Sequence, residues 1–473
     1  MADSSPSFDD LRTKLAEHGQ EHVLRSWDRL STSEQDRLKQ QLLNLDLDLL
    51  DSLIAGTDEK KDFGGLAAAA QSPPAIRADG SGASWTPVQA RQRGEQALRD
   101  GEVGAVIVAG GQGTRLGFAH PKGMFPIGPV SGRTLFQFFA DRLIATRHRY
   151  GSRIPLYLMT SDATDEETRD YFESNDFLGL DPEDVIIFKQ GTMPAVDAAS
   201  GKLLLSAADS LALSPDGHGG TVTALARNGC LEDARRRGVK HLAYIQVDNP
   251  LADLCDPALL GHHLLAESEM TTQVVRKRDP LERVGNVVLV DGRIQIIEYS
   301  DLPEEAARAC SEDGQLKLWA GNIAVHVIDV GFLERSSRSA GSLPFHRALK
   351  KVPFLSEDGK EINPEAPNAT KFERFIFDLL PEARNAFVVE ARASESFAPV
   401  KNAEGAPSDT PALAKAAISD LHSRWLEQAG AVVDSGVQVE INPRFALDSG
   451  ELAEKIPANL RIDVDRYFDS GVE

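Results

Sequence analysis

The chain has 473 residues, 72 acidic and 51 basic, for a formal net charge of −21. That length calls for two or three lobes, and the charge argues against a nucleic-acid-binding surface, which needs clustered cations. Three cysteines at irregular spacing, Cys230, Cys255 and Cys310, give neither a disulfide framework nor a zinc site and suit reduced thiols in a cytosol. The polar start Met1-Ala2-Asp3-Ser4 is no signal peptide, and no apolar run is long enough to span a bilayer. The expectation is a cytoplasmic protein with no membrane partner and no evident obligate protein partner.

In chain order, residues 8–54 read as helices. Leu11 and Leu15 lie one turn apart, Val23, Trp27 and Leu30 continue the stripe, and Ser31 with Glu34 has capping-box spacing before Leu38, Leu42 and Leu45. This stripe is expected to pack on the next lobe. Residues 57–84 are rich in Ala, Ser, Gly and Pro and read as a linker. From Val103 to Phe387 apolar strand patterns alternate with helical ones: Ala105-Val106-Ile107-Val108, Leu156-Tyr157-Leu158-Met159, Val185-Ile186-Ile187-Phe188 and His241–Val247. Alternation of this kind predicts an α/β fold, a doubly wound and mostly parallel sheet. The tail holds short strand candidates, Phe387-Val388-Val389 and Val437–Ile441, and reads as a small β-rich lobe. The expected division is 1–56, linker 57–84, catalytic domain 85–386 and C-terminal lobe 387–473.

Chemistry concentrates behind the first strand. Ala109-Gly110-Gly111-Gln112-Gly113-Thr114-Arg115-Leu116-Gly117 is followed by Pro121-Lys122-Gly123 and then by the helical run Thr134–Ala140. Glycines let backbone N–H groups approach a phosphate, and Arg115 and Lys122 supply the charge a polyphosphate needs. The spacing is not the dinucleotide fingerprint, because Leu116 stands where a third glycine belongs, and no Gly-Lys-Ser/Thr closes a P-loop. Asp248 follows the strand ending at Val247; a carboxylate there lies in the crevice where α/β sheets bind ligands and can hold Mg²⁺. Ser214-Pro215-Asp216-Gly217-His218-Gly219-Gly220 is a second glycine loop.

The first loop resembles the signature of the UDP-sugar pyrophosphorylases, and its Gly-Gly-Gln-Gly-Thr-Arg-Leu-Gly spelling is most similar to the N-acetylglucosamine branch. The phrase Gly19-Gln20-Glu21-His22 near Trp27 is similar to that family as well. The resemblance implies a nucleotidyltransferase-type, Rossmann-like core that joins UTP to a sugar 1-phosphate with Mg²⁺. It implies nucleotide contacts at Gly110, Gly111, Gln190, Gly217 and His218, with Gln190 reading the uracil edge. His218 departs from the asparagine that many relatives carry. It implies a sugar subsite at Gly285, Glu298 and Asn322, Asp248 as metal ligand, and Lys401 on the phosphates beside Arg115 and Lys122. Phe375 and Phe377 match aromatic positions, though core packing explains at least one of them. The attacking sugar phosphate is ionised near neutral pH, so positioning and charge neutralisation suffice without a general base. A UDP-glucose or broad-specificity enzyme, a non-catalytic nucleotide-sugar sensor and a nicotinamide dehydrogenase are the rival readings. Pyrophosphate release from UTP and a sugar phosphate separates the enzyme from the last two.

Overall fold

The computed structural model describes residues 8–56, 63–339, 343–457 and 459–469. The Met1–Ser4 segment and residues 57–62 of the expected linker lie outside them. The chain divides into two compact units, each assembled from separate stretches. The smaller comprises Met1–Asp62, Gly191–Gly220 and Leu343–Ile376, and the larger Phe63–Gln190, Thr221–Ser342 and Phe377–Glu473.

In the larger unit a nine-stranded sheet forms the centre. Val103–Val108 pairs in parallel with Leu156–Thr160 on one side and His241–Gln246 on the other, and Val185–Lys189 lies parallel beyond Leu156–Thr160. The chain thus winds outward in one direction and returns to start in the other, which makes the gap between Val108 and Gln246 the topological switch point. Beyond His241–Gln246 the sheet turns antiparallel through Ala320–Asp329, Asn286–Val290 and Arg293–Ile297. Met270–Arg276 pairs with Ala320–Asp329 and, in parallel, with Ala386–Ala391. The central strands are buried on both faces, with Tyr157, Leu158, Ala105 and Val106 at 0–1 % exposure, which accounts for their unbroken apolar runs.

The expected boundary at 386/387 therefore falls inside a strand of the central sheet. Phe387-Val388-Val389 belongs to that sheet, not to the tail, because its partner is Met270–Arg276 more than a hundred residues upstream. The 57–84 stretch is also more than a linker. It carries a helix over Phe63–Ala69, bonds Gln71 to Leu289, and lays Ile76 beside Val389. The C-terminal region has the expected short strands, Val439–Ile441 paired with Arg466–Phe468 and Val432–Val433 with Arg461–Ile462. It also has a long helix, Pro411–Gln428, capped by Thr410 and begun by proline.

Glu440, 1 % exposed, ties this region to the turn after the first glycine loop. Its carboxylate accepts from Val130 N (2.9 Å), Ser131 N (2.8 Å) and Ser131 Oγ (2.6 Å). Glu440→Ala strands these donors and is expected to cost about 3 kcal/mol, read as a lower urea midpoint. An unchanged midpoint would show that the turn holds without the carboxylate.

In the smaller unit the N-terminal helices Phe8–Glu17, Thr32–Leu43 and Leu47–Ala55 form one core. The capping box at Ser31 and Glu34 is formed. Leu11, Leu15, Leu38, Leu42, Leu50 and Leu53 pack with Val196, Leu203, Leu205, Leu211 and Phe372. The leucine stripe thus covers residues 191–220 and 343–376, two stretches that linear reading assigned to the catalytic domain. Gln20 and His22 have a structural role here. Gln20 accepts from Leu203 N at 2.9 Å and donates to Gly201 O, while His22 Nε2 bonds Leu203 O at 2.8 Å.

Candidate active site

In the larger unit the switch point carries the first glycine loop. The loop folds back on itself through Lys122 N to Gly111 O (3.0 Å), Gly113 N to His120 O (2.9 Å) and the Gln112–Pro121 bridge. It is held in place by Ser161 Oγ donating to Gly110 O at 2.8 Å. Gln190, 9 % exposed and anchored through its N–H to Thr160 O, lies against Gly110. A Cβ at Gly110 would stand 2.6 Å from Gln190 Nε2, so the glycine is what admits the amide. Gly123 is required for a similar reason, since the Phe136 ring occupies the space of its Cβ. That ring is fixed by the helix Leu135–Tyr150, whose Thr134 and Gln137 form a capping box. Gly111 and Arg115 are exposed, Arg115 on a single 3₁₀ turn over Thr114–Leu116.

Asp248 stands two residues past the strand His241–Gln246, and the strand's course is continued by Val247 N bonding Val108 O at 3.1 Å. Its Oδ2 faces Lys122 Nζ at 3.6 Å, with both side chains largely buried. Its backbone carbonyl accepts from Val400 N at 2.8 Å, which brings the Lys401 segment to the same end of the strand. Lys401 Nζ lies 5.9 Å from the Phe397 ring centre. The structure therefore brings Asp248, Lys122 and the Lys401 backbone together.

Two residues that the sequence reading did not single out set this geometry. Asn249, 3 % exposed, donates to Ser396 O (2.8 Å) and accepts from Ala398 N (3.0 Å), clamping the segment that leads to Lys401. Asp409, in the left-handed region at φ 58°, accepts from Lys401 N and Asn402 N at 2.8 and 3.0 Å. Burial pushes the Asp409 carboxyl above its ordinary range; Lys401 and Arg278 oppose the rise, and Asp248 and Glu282 add to it. The sequence offers only an Asn-Pro turn and an Asp before a helix cap, both ordinary turn chemistry.

Gly285, Glu298 and Asn322 are also brought together. A Cβ on Gly285 would lie 2.8 Å from Ile296 Cγ2, 3.0 Å from Glu298 Oε1 and 3.7 Å from Asn322 Cβ. Asn322 N donates to Gly285 O at 2.8 Å. Asn322 sits at a register shift, where Gln273 pairs with Val325 but Val274 with Asn322. The extra residues are accommodated by Ala324 at φ 56°, whose N–H bonds Asn322 Oδ1 at 3.1 Å. A bulge of this kind re-aims a side chain out of the ladder. Beneath it Lys277, 5 % exposed, donates to Asn286 Oδ1 at 2.6 Å, and burial lowers its pKa.

The smaller unit carries the second loop. Gly217 has φ +85°, and a Cβ there would meet Arg374 O at 2.4 Å. His218 stacks on Phe375 at 5.2 Å between ring centres, and its Nδ1 accepts from Ile376 N at 3.2 Å. Of the two aromatic positions, Phe375 is half-buried beside this loop, whereas Phe377, in the larger unit, is 4 % exposed. Among the cysteines, burial pushes the Cys230 thiol up to about 12 and raises Cys255 further, so neither is a nucleophile at neutral pH. Cys310 is exposed.

Among the described residues no helix is long and apolar enough to cross a membrane. The chain is 38 % identical over 440 residues to the human UDP-N-acetylhexosamine pyrophosphorylase-like protein 1, covering 90 % of this chain and 86 % of the relative. It is 35 % identical to the UDP-N-acetylglucosamine pyrophosphorylase of Saccharomyces cerevisiae, over 94 % of this chain and 96 % of that one. In structure it is similar to the uridine diphosphate N-acetylglucosamine pyrophosphorylase of Trypanosoma brucei, with a TM-score of 0.83, 26 % identity, and coverage of 98 % of this chain and 100 % of that one. With residues 89–436 matching its model, the chain belongs to the UTP–glucose-1-phosphate uridylyltransferase family.

Proposed function

We propose that this uridylyltransferase joins UTP to N-acetylglucosamine 1-phosphate, giving UDP-N-acetylglucosamine and pyrophosphate. The observation that carries the choice of sugar is the convergence of Gly285, Glu298 and Asn322 at the bulge. A carboxylate accepts from sugar hydroxyls, and an asparagine amide can both donate and accept toward an acetamido group. The names of the yeast and trypanosome relatives support the same sugar.

A phosphate oxygen of the sugar 1-phosphate attacks the α-phosphorus of UTP. The bond from that phosphorus to the β-bridging oxygen breaks, and pyrophosphate leaves with the electron pair. In this reading Arg115 and Lys122 hold the triphosphate, and Lys401 spans the sugar phosphate and α-phosphate. Gly110 and Gly111 let the nucleotide approach the backbone, and Gln190 reads the uracil imide. Asp248 fits a Mg²⁺ ligand: Lys122 Nζ at 3.6 Å is beyond hydrogen-bond length, so the carboxylate keeps lone pairs for a hard cation. Mg²⁺ would neutralise phosphate charge there.

The test is a panel of sugar 1-phosphates with UTP and Mg²⁺, read by pyrophosphate release. N-acetylglucosamine 1-phosphate is expected to exceed glucose 1-phosphate by roughly tenfold to several hundredfold in kcat/KM, from a lost apolar contact and an unpaired amide partner worth about 1–4 kcal/mol. Equal or better turnover of glucose 1-phosphate overturns the choice of sugar.

The His218 departure has a definite chemical form. Because Nδ1 accepts the Ile376 N–H, the neutral ring carries its proton on Nε2 and is a donor there, as an asparagine amide is. His218→Asn is therefore expected to keep KM for UTP within about twofold. His218→Ala should raise it roughly two- to tenfold, the worth of one neutral hydrogen bond. Initial rates at varied UTP decide between them, and an Ala variant indistinguishable from the parent removes His218 from the nucleotide contacts.

A further inference from the structure

At the far end of the strand that leads to Asp248, two imidazoles and a carboxylate meet. His241 opens His241–Gln246, and Asp329 closes Ala320–Asp329 as its direct partner across the antiparallel ladder. His263 comes from the helix Pro257–Leu265. His241 Nδ1 lies 2.6 Å from Asp329 Oδ1, His263 Nε2 lies 3.0 Å from the same oxygen, and the two nitrogens are 3.2 Å apart. His263 is 1 % exposed, while His241 and Asp329 keep 12 % and 33 % of their side chains in solvent. Asp248 is seven residues further on, roughly 20 Å away at the rise of a strand.

We propose that His241, His263 and Asp329 form a second metal site, one for Zn²⁺, that fastens the helix Pro257–Leu265 to the sheet. Two imidazole nitrogens and one carboxylate oxygen are a zinc donor set. They suit Mg²⁺ poorly, since that ion takes oxygen ligands. Tetrahedral zinc with bonds near 2.0–2.1 Å spaces its ligand atoms about 3.3 Å apart. The two nitrogens already stand at that separation. The two nitrogen–oxygen separations are hydrogen bonds that lengthen by a few tenths of an ångström as the ion takes the place of the protons. The exposed side at Asp329 admits water as the fourth ligand.

A metal-bound imidazole keeps one proton on its other nitrogen, so as His241 Nδ1 offers its lone pair its proton moves to Nε2. His263 Nδ1 lies 2.9 Å from Thr271 Oγ1. When Nε2 turns its lone pair to the metal, the ring proton moves to Nδ1 and is donated to that hydroxyl. Metal-bound imidazoles characteristically make an outer hydrogen bond of this kind.

The experiment uses the full chain, stripped with a chelator, and titrated with Co²⁺ and then Zn²⁺ in the presence of Mg²⁺. One equivalent of Co²⁺ is expected to give the visible absorption of a tetrahedral ion, and Zn²⁺ should displace it and raise Tm. Asp248→Asn should keep the band. His241→Ala should lose both band and Tm shift while turning over substrate at the parent rate. Where His241→Ala does not fold, His241→Gln, which keeps a hydrogen-bonding side chain but no imidazole, takes its place. Thr271→Val should weaken Co²⁺ binding roughly tenfold or more. Absence of stoichiometric binding, or a band that survives loss of His241, overturns the site and leaves a hydrogen-bonded His–Asp–His cluster.

Discussion

Asp248→Ala is expected to lower turnover by at least about a hundredfold, close to 3 kcal/mol of transition-state stabilisation, with the protein still folded. The folding half of this expectation rests on the backbone. What ties the Lys401 segment to the strand end is the Asp248 carbonyl, bonded to Val400 N at 2.8 Å, and alanine keeps it. Asn249, which clamps Ser396 and Ala398, is untouched. What alanine removes is the carboxylate facing Lys122 Nζ. If Asp248 holds Mg²⁺ as proposed, the variant should need far more Mg²⁺ than the parent to reach its residual rate. Pyrophosphate release across a Mg²⁺ titration, with circular dichroism as the folding control, reads both halves. Near-parent turnover at limiting Mg²⁺ would remove Asp248 from the metal role.

Much of the larger unit was legible because its signals are local. An apolar run ending in glycines and followed by a capped helix is written within forty residues, and it is found as Val103–Val108, the Gly110 loop and Leu135–Tyr150. The position of Asp248 was legible for the same reason, as the first carboxylate past a buried strand. Partnership at long range was not. Periodicity says that Phe387-Val388-Val389 is a strand but not that Met270–Arg276 is its neighbour. It shows a leucine stripe from Leu11 to Leu45 but not that the surface it covers comes from residues 191–220 and 343–376. Among the candidate site residues, Gly285, Glu298 and Asn322 were singled out by resemblance. Their contact depends on a register shift and a positive φ at Ala324, which nothing in the residue pattern announces. Asn249, Asp409 and Glu440 were missed because each acts through backbone groups, and backbone groups leave no trace in side-chain identity. His241, His263 and Asp329 were passed over since their separations of 22 and 66 residues match no ligand motif.

Gly285→Ala is expected to damage the sugar side of the reaction and spare the nucleotide side. The added methyl would stand 3.0 Å from Glu298 Oε1 and 2.8 Å from Ile296 Cγ2. The Ile296 contact is the stiffer, because that residue is paired to Val287 within the antiparallel ladder and its branched side chain has one favoured rotamer. The Glu298 side chain is unbranched and turns about more bonds than Ile296 does, so the strain should fall on it and shift its carboxylate from where the sugar hydroxyls would bind. Loss of a charged hydrogen bond costs about 1.5–3 kcal/mol, which is roughly ten- to hundredfold in kcat/KM for the sugar 1-phosphate. Gln190 and the Gly110 loop are built from other strands, so KM for UTP should stay within about twofold. Glu298→Gln, which keeps the shape and removes the charge, should reproduce the loss on the sugar side without any steric change. Asn322→Ala should slow the acetylated sugar more than glucose 1-phosphate and so narrow the preference. Steady-state kinetics with each substrate varied in turn separates these outcomes. A Gly285→Ala enzyme with unchanged KM and kcat for the sugar phosphate would mean that Gly285 and Glu298 meet for packing alone and that the sugar binds elsewhere.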